Sequence, residues 1–351
     1  MKIGVAMSGG VDSSVTAALL KNAGHEVIGL TMLVVPLDEI ENNHIPTIAQ
    51  QVAQTLDIPH HIIDLRGVFA ECIISEFCKQ YSLGRTPNPC VQCNRHIKFG
   101  VLYVKARELG ADVLATGHYA QIERRESDGR YLLKKGIDHQ RDQSYFLYAL
   151  TQEQLSRTLF PLGTLTKDKV KQIAAEVKLP VASRESREIC FIPDNDYISF
   201  LRKHTALGTV PGMIKDKQGN VLGEHNGIIN YTIGQRKRLG IAAQKPLYVV
   251  ALDAKSNTVV VGDRQHILNT ECIVTGVNWI AIPELSESIS IGVKIRYLHV
   301  EAEAVIIPET GGKVRVKFSE PQLAITPGQS AVFYDGDAVV GGGTIEEVVQ
   351  R

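Results

Sequence analysis

Apolar residues recur along the first half of the chain in two alternating rhythms. Short apolar runs at 2–7 (KIGVAM), 26–33 (EVIGLTML), 60–65 (HHIIDL) and 112–116 (DVLAT) have the length of strands. Between them, residues 12–24, 47–58 and 97–111 repeat apolar positions at helical spacing. In the first of these, Val15, Ala18 and Leu19 share a face and Gly24 closes the segment. Strands alternating with helices predict a parallel sheet covered on both faces. Residues 120–136 interrupt the rhythm as a hairpin, with Asp128-Gly129 at its turn. Residues 167–179 and 196–204 read as further helices.

After about residue 205 helical periodicity disappears, and glycine and β-branched residues rise. PLYVVALDA, NTVVVGD, SISIGVKIRYL, AEAVIIP, GKVRVKF and SAVFYDGDAVVGGG read as short strands with turns. The pattern predicts three domains: an α/β domain over 1–204, a small β domain over 205–267, and a barrel-like β domain over 268–351.

Composition narrows the partners. Lys+Arg and Asp+Glu both number 38, so the formal net charge is zero and no global field attracts nucleic acid or membrane. A nucleic-acid partner would need local basic patches. No apolar run has the length of a signal peptide or a membrane span, which predicts a cytoplasmic protein with no membrane partner. In that compartment six cysteines are catalytic, metal-binding or incidental before they are structural disulfides.

The chemistry sits in a few segments. MSGGVDSS (7–14) lies between the first strand and the first helix, where an open α/β sheet binds ligands. Its glycines let the backbone approach an anion, and the helix N-terminus offers free amides. The bland reading is a glycine turn with Asp12 or Ser13 as a cap. No GxxxxGK[ST] is present, so this is not a Walker loop; it resembles the phosphate loop of the ATP pyrophosphatases, which adenylate an oxygen and release pyrophosphate. ATGHYA (115–120) follows a strand and brings Gly117 and His118 to the same sheet edge. TPNPCVQCNRHIKFG (86–100) carries Cys90 and Cys93 three apart; on the residues alone this pair could hold a metal, form a disulfide, supply a nucleophile or do nothing. Cys190, in SREICFIPDNDYISFLR (186–202), reads on its own as a small buried hydrophobe.

These segments, with RDQSYFLYAL (141–150) and YTIGQRKRLGI (231–241), resemble the bacterial tRNA-specific 2-thiouridylase family over essentially the whole chain. The resemblance implies an α/β fold: an N-terminal parallel-sheet, HUP-like ATP-pyrophosphatase domain, then two small β domains. It implies sulfur transfer to carbon 2 of the wobble uridine in tRNAs for lysine, glutamate and glutamine, with ATP, Mg2+ and a sulfur donor. ATP contacts map to Ala6, Met7, Ser8, Gly9, Gly10, Val11, Asp12, Ser13, Met32 and Gly117. Contacts to tRNA map to Asn88, Pro89, Cys90, His118, Arg141, Asp142, Gln143, Arg296, Tyr297 and Gln329. Arg236, Lys237 and Arg238 are a basic turn suited to phosphate or merely solvated. Cys93 maps to the nucleophile and Cys190 to the persulfide carrier.

Two departures matter. The common family form has aspartate where Cys90 stands, so Asp-x-x-Cys has become Cys-x-x-Cys. With Cys90, Cys93 and Cys190 in one pocket, a [4Fe-4S] cluster with an open iron is expected as the sulfur carrier. The alternatives are a persulfide route through Cys93 and Cys190 alone, zinc, or a silent Cys90. Family members also usually have glycine where Arg238 stands. Residues 34–46 receive no assignment. Two other functions stay open at this point: an ATP-pyrophosphatase ligase of amidotransferase type, and a tRNA-binding protein that has lost catalysis.

Overall fold

The computed structural model describes residues 1–34, 45–181, 189–192, 195–206 and 208–349. Residues 186–188 of the Cys190 segment therefore lie outside the described residues, as does most of the unassigned stretch 34–46.

Five parallel strands form the first sheet: β1 (Lys2–Ala6), β2 (Glu26–Leu33), β3 (His60–Asp64), β4 (Val113–Ala115) and β7 (Thr158–Leu159), in the order β3-β2-β1-β4-β7. The strand order reverses between β1 and β4, so their C-terminal ends open onto a crevice. The phosphate-loop candidate follows β1, and Gly117-His118 follows β4. Helix α1 (Val11–Asn22), with seven buried residues, packs between this sheet and the helix Lys167–Glu176.

Two long helical stretches flank the crevice. One runs without a break through Arg66–Phe69, Ala70–Ile74 and Ser75–Ser82, the middle piece π-helical. The sequence reading left it unassigned, although buried Phe69, Ile73, Phe77 and Tyr81 recur every four residues. The other runs through Pro89–Gln92, the π-helical Cys93–Leu102 and Tyr103–Glu108. It begins well before residue 97, where apolar periodicity placed its start. Pro89 is its first residue, a position where a missing N–H is harmless.

The predicted hairpin is present as β5 (Ala120–Arg124) and β6 (Tyr131–Lys135). It belongs to a sheet that the sequence did not suggest. β12 (Leu268–Trp279), β15 (Val314–Leu323), β14 (Ala302–Pro308), β13 (Ile289–Lys294), β16 (Ser330–Asp335) and β17 (Ala338–Val349) close into a six-stranded barrel, because β12 pairs with both β15 and β17. β17 also pairs with β6 through Ala338↔Lys134 and Val339↔Leu133. The N-terminal hairpin thus extends the C-terminal barrel. β16 shows the consequence of a period of two. Ala331 and Phe333 enter the barrel interior, whereas Val332 and Tyr334 join the core of the first domain. A smaller sheet, β10 (Tyr248–Asp253), β11 (Thr258–Gly262), β8 (Gly212–Asp216) and β9 (Val221–His225), lies between.

Arg238 sits at φ +61°, in the left-handed region. A side chain there costs about 1–2 kcal/mol relative to glycine. Arg238→Gly is expected to raise stability by about 0.5–1 kcal/mol, after the extra freedom of glycine in the unfolded chain is discounted. Urea unfolding checks this; an unchanged or lower midpoint would contradict it.

Candidate active site

The loop after β1 is organised by its own side chains. The Ser8 amide donates to Ser13 Oγ at 3.1 Å, and the Ser13 and Ser14 hydroxyls donate to Gly10 O at 3.1 and 2.9 Å. Gly9 takes φ +72°, and Gly10 caps α1 without any side-chain hydrogen bond. First-turn amides and the positive end of α1 thereby face the crevice, which suits phosphate oxygens. Gly117 lies against this turn: a Cβ there would come 2.8 Å from Asp12 C and 2.9 Å from Ser13 N. Only glycine permits that approach. Met32, at the end of β2, is partly buried against the main core, while Met7 is buried and its carbonyl accepts from Thr31 Oγ1 at 2.8 Å.

Asp12 does not present a free carboxylate. Lys167 Nζ donates to both of its oxygens at 2.8 Å, and the Tyr119 hydroxyl donates to Oδ1 at 2.7 Å. Lys167 opens the helix Lys167–Glu176, so this ion pair ties that helix to α1. Sequence reasoning missed both partners, because Lys167 reads as an ordinary helix start. With its charge held by an ammonium, Asp12 as placed is not a ready magnesium ligand.

Cys93 and Asn94 are buried where the π-helix begins. Asn94 Nδ2 donates to Phe146 O at 3.0 Å, which joins the cysteine helix to the turn after Arg141–Gln143. The i→i+5 repeat of a π-helix brings Lys98 towards the face of Cys93, an effect invisible to α-helical periodicity. Burial pushes the Cys93 thiol up to about 12, opposed by Lys98 and reinforced by Cys190 and Cys90. Burial likewise pushes Cys90 up to about 11, with Cys190 adding to the rise and Lys98 opposing it. Cys190 is exposed at its residue surface, yet the protein around its thiol raises it too, again against Lys98. The fold therefore brings the three sulfurs within electrostatic reach of one lysine. His118, buried, is held well below its ordinary value by desolvation and by the same Lys98, so it is neutral at physiological pH. Its Nδ1 lies 2.7 Å from Thr116 Oγ1.

Cys190 is positioned by its neighbour. Phe191 packs its ring against Phe69, Phe77 and Phe200 at centroid distances of 5.5, 5.5 and 5.3 Å. Phe69 and Phe77 belong to a helical stretch more than a hundred residues earlier in the chain, which is why the position of Cys190 could not be read from spacing.

All six cysteines are free thiols, and among the described residues no group of three His, Cys, Asp or Glu side chains converges to hold a metal ion. Cys90, Cys93 and Cys190 are neighbours as placed, not a ligand set.

The residues expected to meet tRNA fall in one region but differ in freedom. Asn88, Pro89 and Cys90 form the start of the cysteine helix. Asp142 is turned inward: its carboxylate accepts from the amides of Gly136 and Ser144 at 3.1 Å and from Ser144 Oγ at 2.8 Å. Gln143 Oε1 accepts from the Tyr119 amide at 3.1 Å. Arg296 donates to Leu323 O at 2.6 Å, and Tyr297 packs on Phe146 at 4.5 Å between ring centroids. Gln329 Nε2 donates to Thr86 O at 3.0 Å and to Pro87 O at 3.4 Å, so it holds the cysteine loop.

Comparison with known proteins agrees with this arrangement. Residues 1–194 match a family model described as a tRNA methyl transferase HUP domain, 198–263 its PRC-barrel domain, and 269–345 an aminomethyltransferase β-barrel domain. The tRNA-specific 2-thiouridylase MnmA 1 of Caldanaerobacter subterraneus subsp. tengcongensis is 53% identical, with 99% of each chain covered. The chain belongs to the tRNA-specific 2-thiouridylase family. MnmA 2 of a Thermoanaerobacter species is 51% identical over 98% of each chain. MnmA of Geotalea uraniireducens is 48% identical, covering 99% of this chain and 96% of its own. Membership covers both β domains, so the barrel that grips the cysteine loop is part of what the family shares.

With burial pushing its thiol up to about 12, Cys93 is almost wholly protonated at pH 7. Its alkylation by iodoacetamide, followed on the Cys93 peptide by mass spectrometry, should rise about tenfold per pH unit from 7 to 10. Lys98→Met should slow it further at every pH. A plateau below pH 8 would contradict the burial argument.

Proposed function

We propose that this chain is an ATP-dependent tRNA 2-thiouridylase acting on the wobble uridine of tRNAs for lysine, glutamate and glutamine. One observation carries the reading. The ATP-loop turn touches Gly117, Gly117 precedes His118, and His118 shares Lys98 with Cys90, Cys93 and Cys190. These contacts support a phosphate site and a sulfur site along one crevice. We assign ATP to Ala6 through Ser13, Met32 and Gly117, with magnesium carried on the phosphates of the nucleotide. We assign tRNA to the surface around Asn88–Cys90, His118, Arg141–Gln143, Arg296, Tyr297 and Gln329. The domain junctions are placed after His204 and Ile267. We assign a cytoplasmic site of action, and no described helix is long and apolar enough to cross a membrane.

The uracil O2 is a poor leaving group until it attacks the α-phosphate of ATP and expels pyrophosphate. The helix end and Gly-rich turn would bind the charge of that step. For the sulfur step the route favoured here is a persulfide on Cys190. Cys190 is exposed, as a group loaded by a separate persulfide donor must be, whereas Cys93 is buried in the crevice. The terminal persulfide sulfur attacks C2, and the C2–O bond breaks with its electron pair leaving on AMP. The Cys93 thiolate then attacks Cys190 Sγ. The bond from Cys190 Sγ to the transferred sulfur breaks, leaving 2-thiouridine and a Cys93–Cys190 disulfide. An external dithiol returns the two electrons.

Thiolation with a persulfide donor, read by chromatography of tRNA nucleosides, separates the routes. Cys93→Ser and Cys190→Ser should lose activity at least about 10³-fold, while pyrophosphate release with tRNA persists. Cys90→Asp should remain active. An inactive Cys90→Asp beside an iron-dependent parent enzyme would hand the sulfur step to a cluster. Absence of tRNA-stimulated pyrophosphate release would sink the function itself.

A further inference from the structure

The turn between β13 and β14 carries an apolar tip that neither fold nor site accounts for. Leu298 is 88% exposed and Val300 83%, more than any other large apolar residue among those described. Burying a side chain of this size is worth about 1.5–3 kcal/mol, so their exposure is a loss unless something covers them. The tip is held in place. The His299 amide donates to Arg296 O at 3.1 Å, Lys135 Nζ contacts Glu301 at 2.7 Å, and Tyr297 rests on the Phe146 ring. Phe146 is also the residue whose carbonyl holds Asn94, next to Cys93. The tip therefore stands at the edge of the crevice that contains the buried thiol.

The reaction supplies an occupant for it. Cys93 is 8% exposed, and a uridine stacked in an anticodon loop cannot bring C2 into such a crevice without leaving its stack. The everted base leaves an apolar gap between its neighbours, and proteins that unstack nucleic acid fill such gaps with aliphatic wedges. Resting on the thiolation reading above, we propose that Leu298, supported by Val300, inserts into the anticodon loop and fills the space vacated by the target uridine. At the base of the hairpin Glu301 is paired with Lys135, so half-buried Lys294 and Arg296, the latter also donating to Leu323 O, leave that base net positive, which favours RNA over an apolar protein partner.

The test uses the full chain and a tRNA anticodon stem–loop with 2-aminopurine on the 3′ side of the target uridine, since its fluorescence rises when unstacked. The parent protein should raise the signal several-fold. Leu298→Ser, and more fully Leu298→Ser with Val300→Ser, should abolish most of that rise and cut thiolation about tenfold, with ATP binding unchanged. Both side chains are solvent-exposed, so these variants should fold, and an unchanged melting temperature checks it. Parent and double variant giving the same rise and rate would overturn the wedge alone. A double variant that loses only sulfur loading of Cys190 from a protein donor would also overturn it, by making the tip a protein contact. Failure of the parent to bind the stem–loop would instead sink the thiolation reading.

Discussion

Between Ser82 and Pro89 the chain forms no helix or strand, yet it must place two cysteines in a crevice built by other segments. Its position is set by the barrel. The Thr86 amide donates to Pro327 O at 3.0 Å, Gln329 Nε2 donates to Thr86 O, and Gly328 lies so close that a Cβ would sit 2.9 Å from Thr86 N and O. Each hydrogen bond contributes about 1 kcal/mol net, but the contact is close-packed and backbone to backbone, so it fixes direction as well as energy. Prolines at 87 and 89 restrict what remains. The C-terminal domain is therefore a structural member of the cysteine site, and the β17–β6 pairing makes the two domains share one sheet.

Electrostatics then gives the site its character. One lysine, Lys98, acts on four groups that burial has pushed towards their neutral forms: three thiols and His118. With the three thiols and His118 neutral, Lys98 is left as a cation beside them, where it can meet negative charge that develops in the site. At the other end of the crevice, the Asp12–Lys167–Tyr119 contacts neutralise the loop carboxylate and leave the α1 amides as the anion-binding element.

Much of this was legible in the sequence, for identifiable reasons. The parallel strands are apolar runs separated by helical periodicity, and SGGVDSS sits between one of each. The barrel strands are short, β-branched and bounded by turns. What could not be read was whatever depends on partners far apart in the chain. β6 and β17 each look like ordinary hairpin strands, and nothing local says that they pair. Cys190 reaches the crevice through the packing of Phe191 on Phe69, Phe77 and Phe200. Lys98 looks like a solvent-facing helix residue until the π-helical turn changes which positions share a face. The inward turn of Asp142 and the clamp role of Gln329 follow from hydrogen bonds that no spacing encodes.

The dependence of the sulfur site on the barrel is tested most directly at Gly328, which has φ +93° and no room for a side chain against Thr86. Gly328→Ala should be compared with the parent enzyme for ATP binding and for single-turnover thiolation of tRNA. The account predicts ATP binding within about twofold and thiolation reduced at least about 10²-fold, the scale of a loss caused by misplacing a reacting group. Thiolation at the parent rate in a folded Gly328→Ala protein would contradict it.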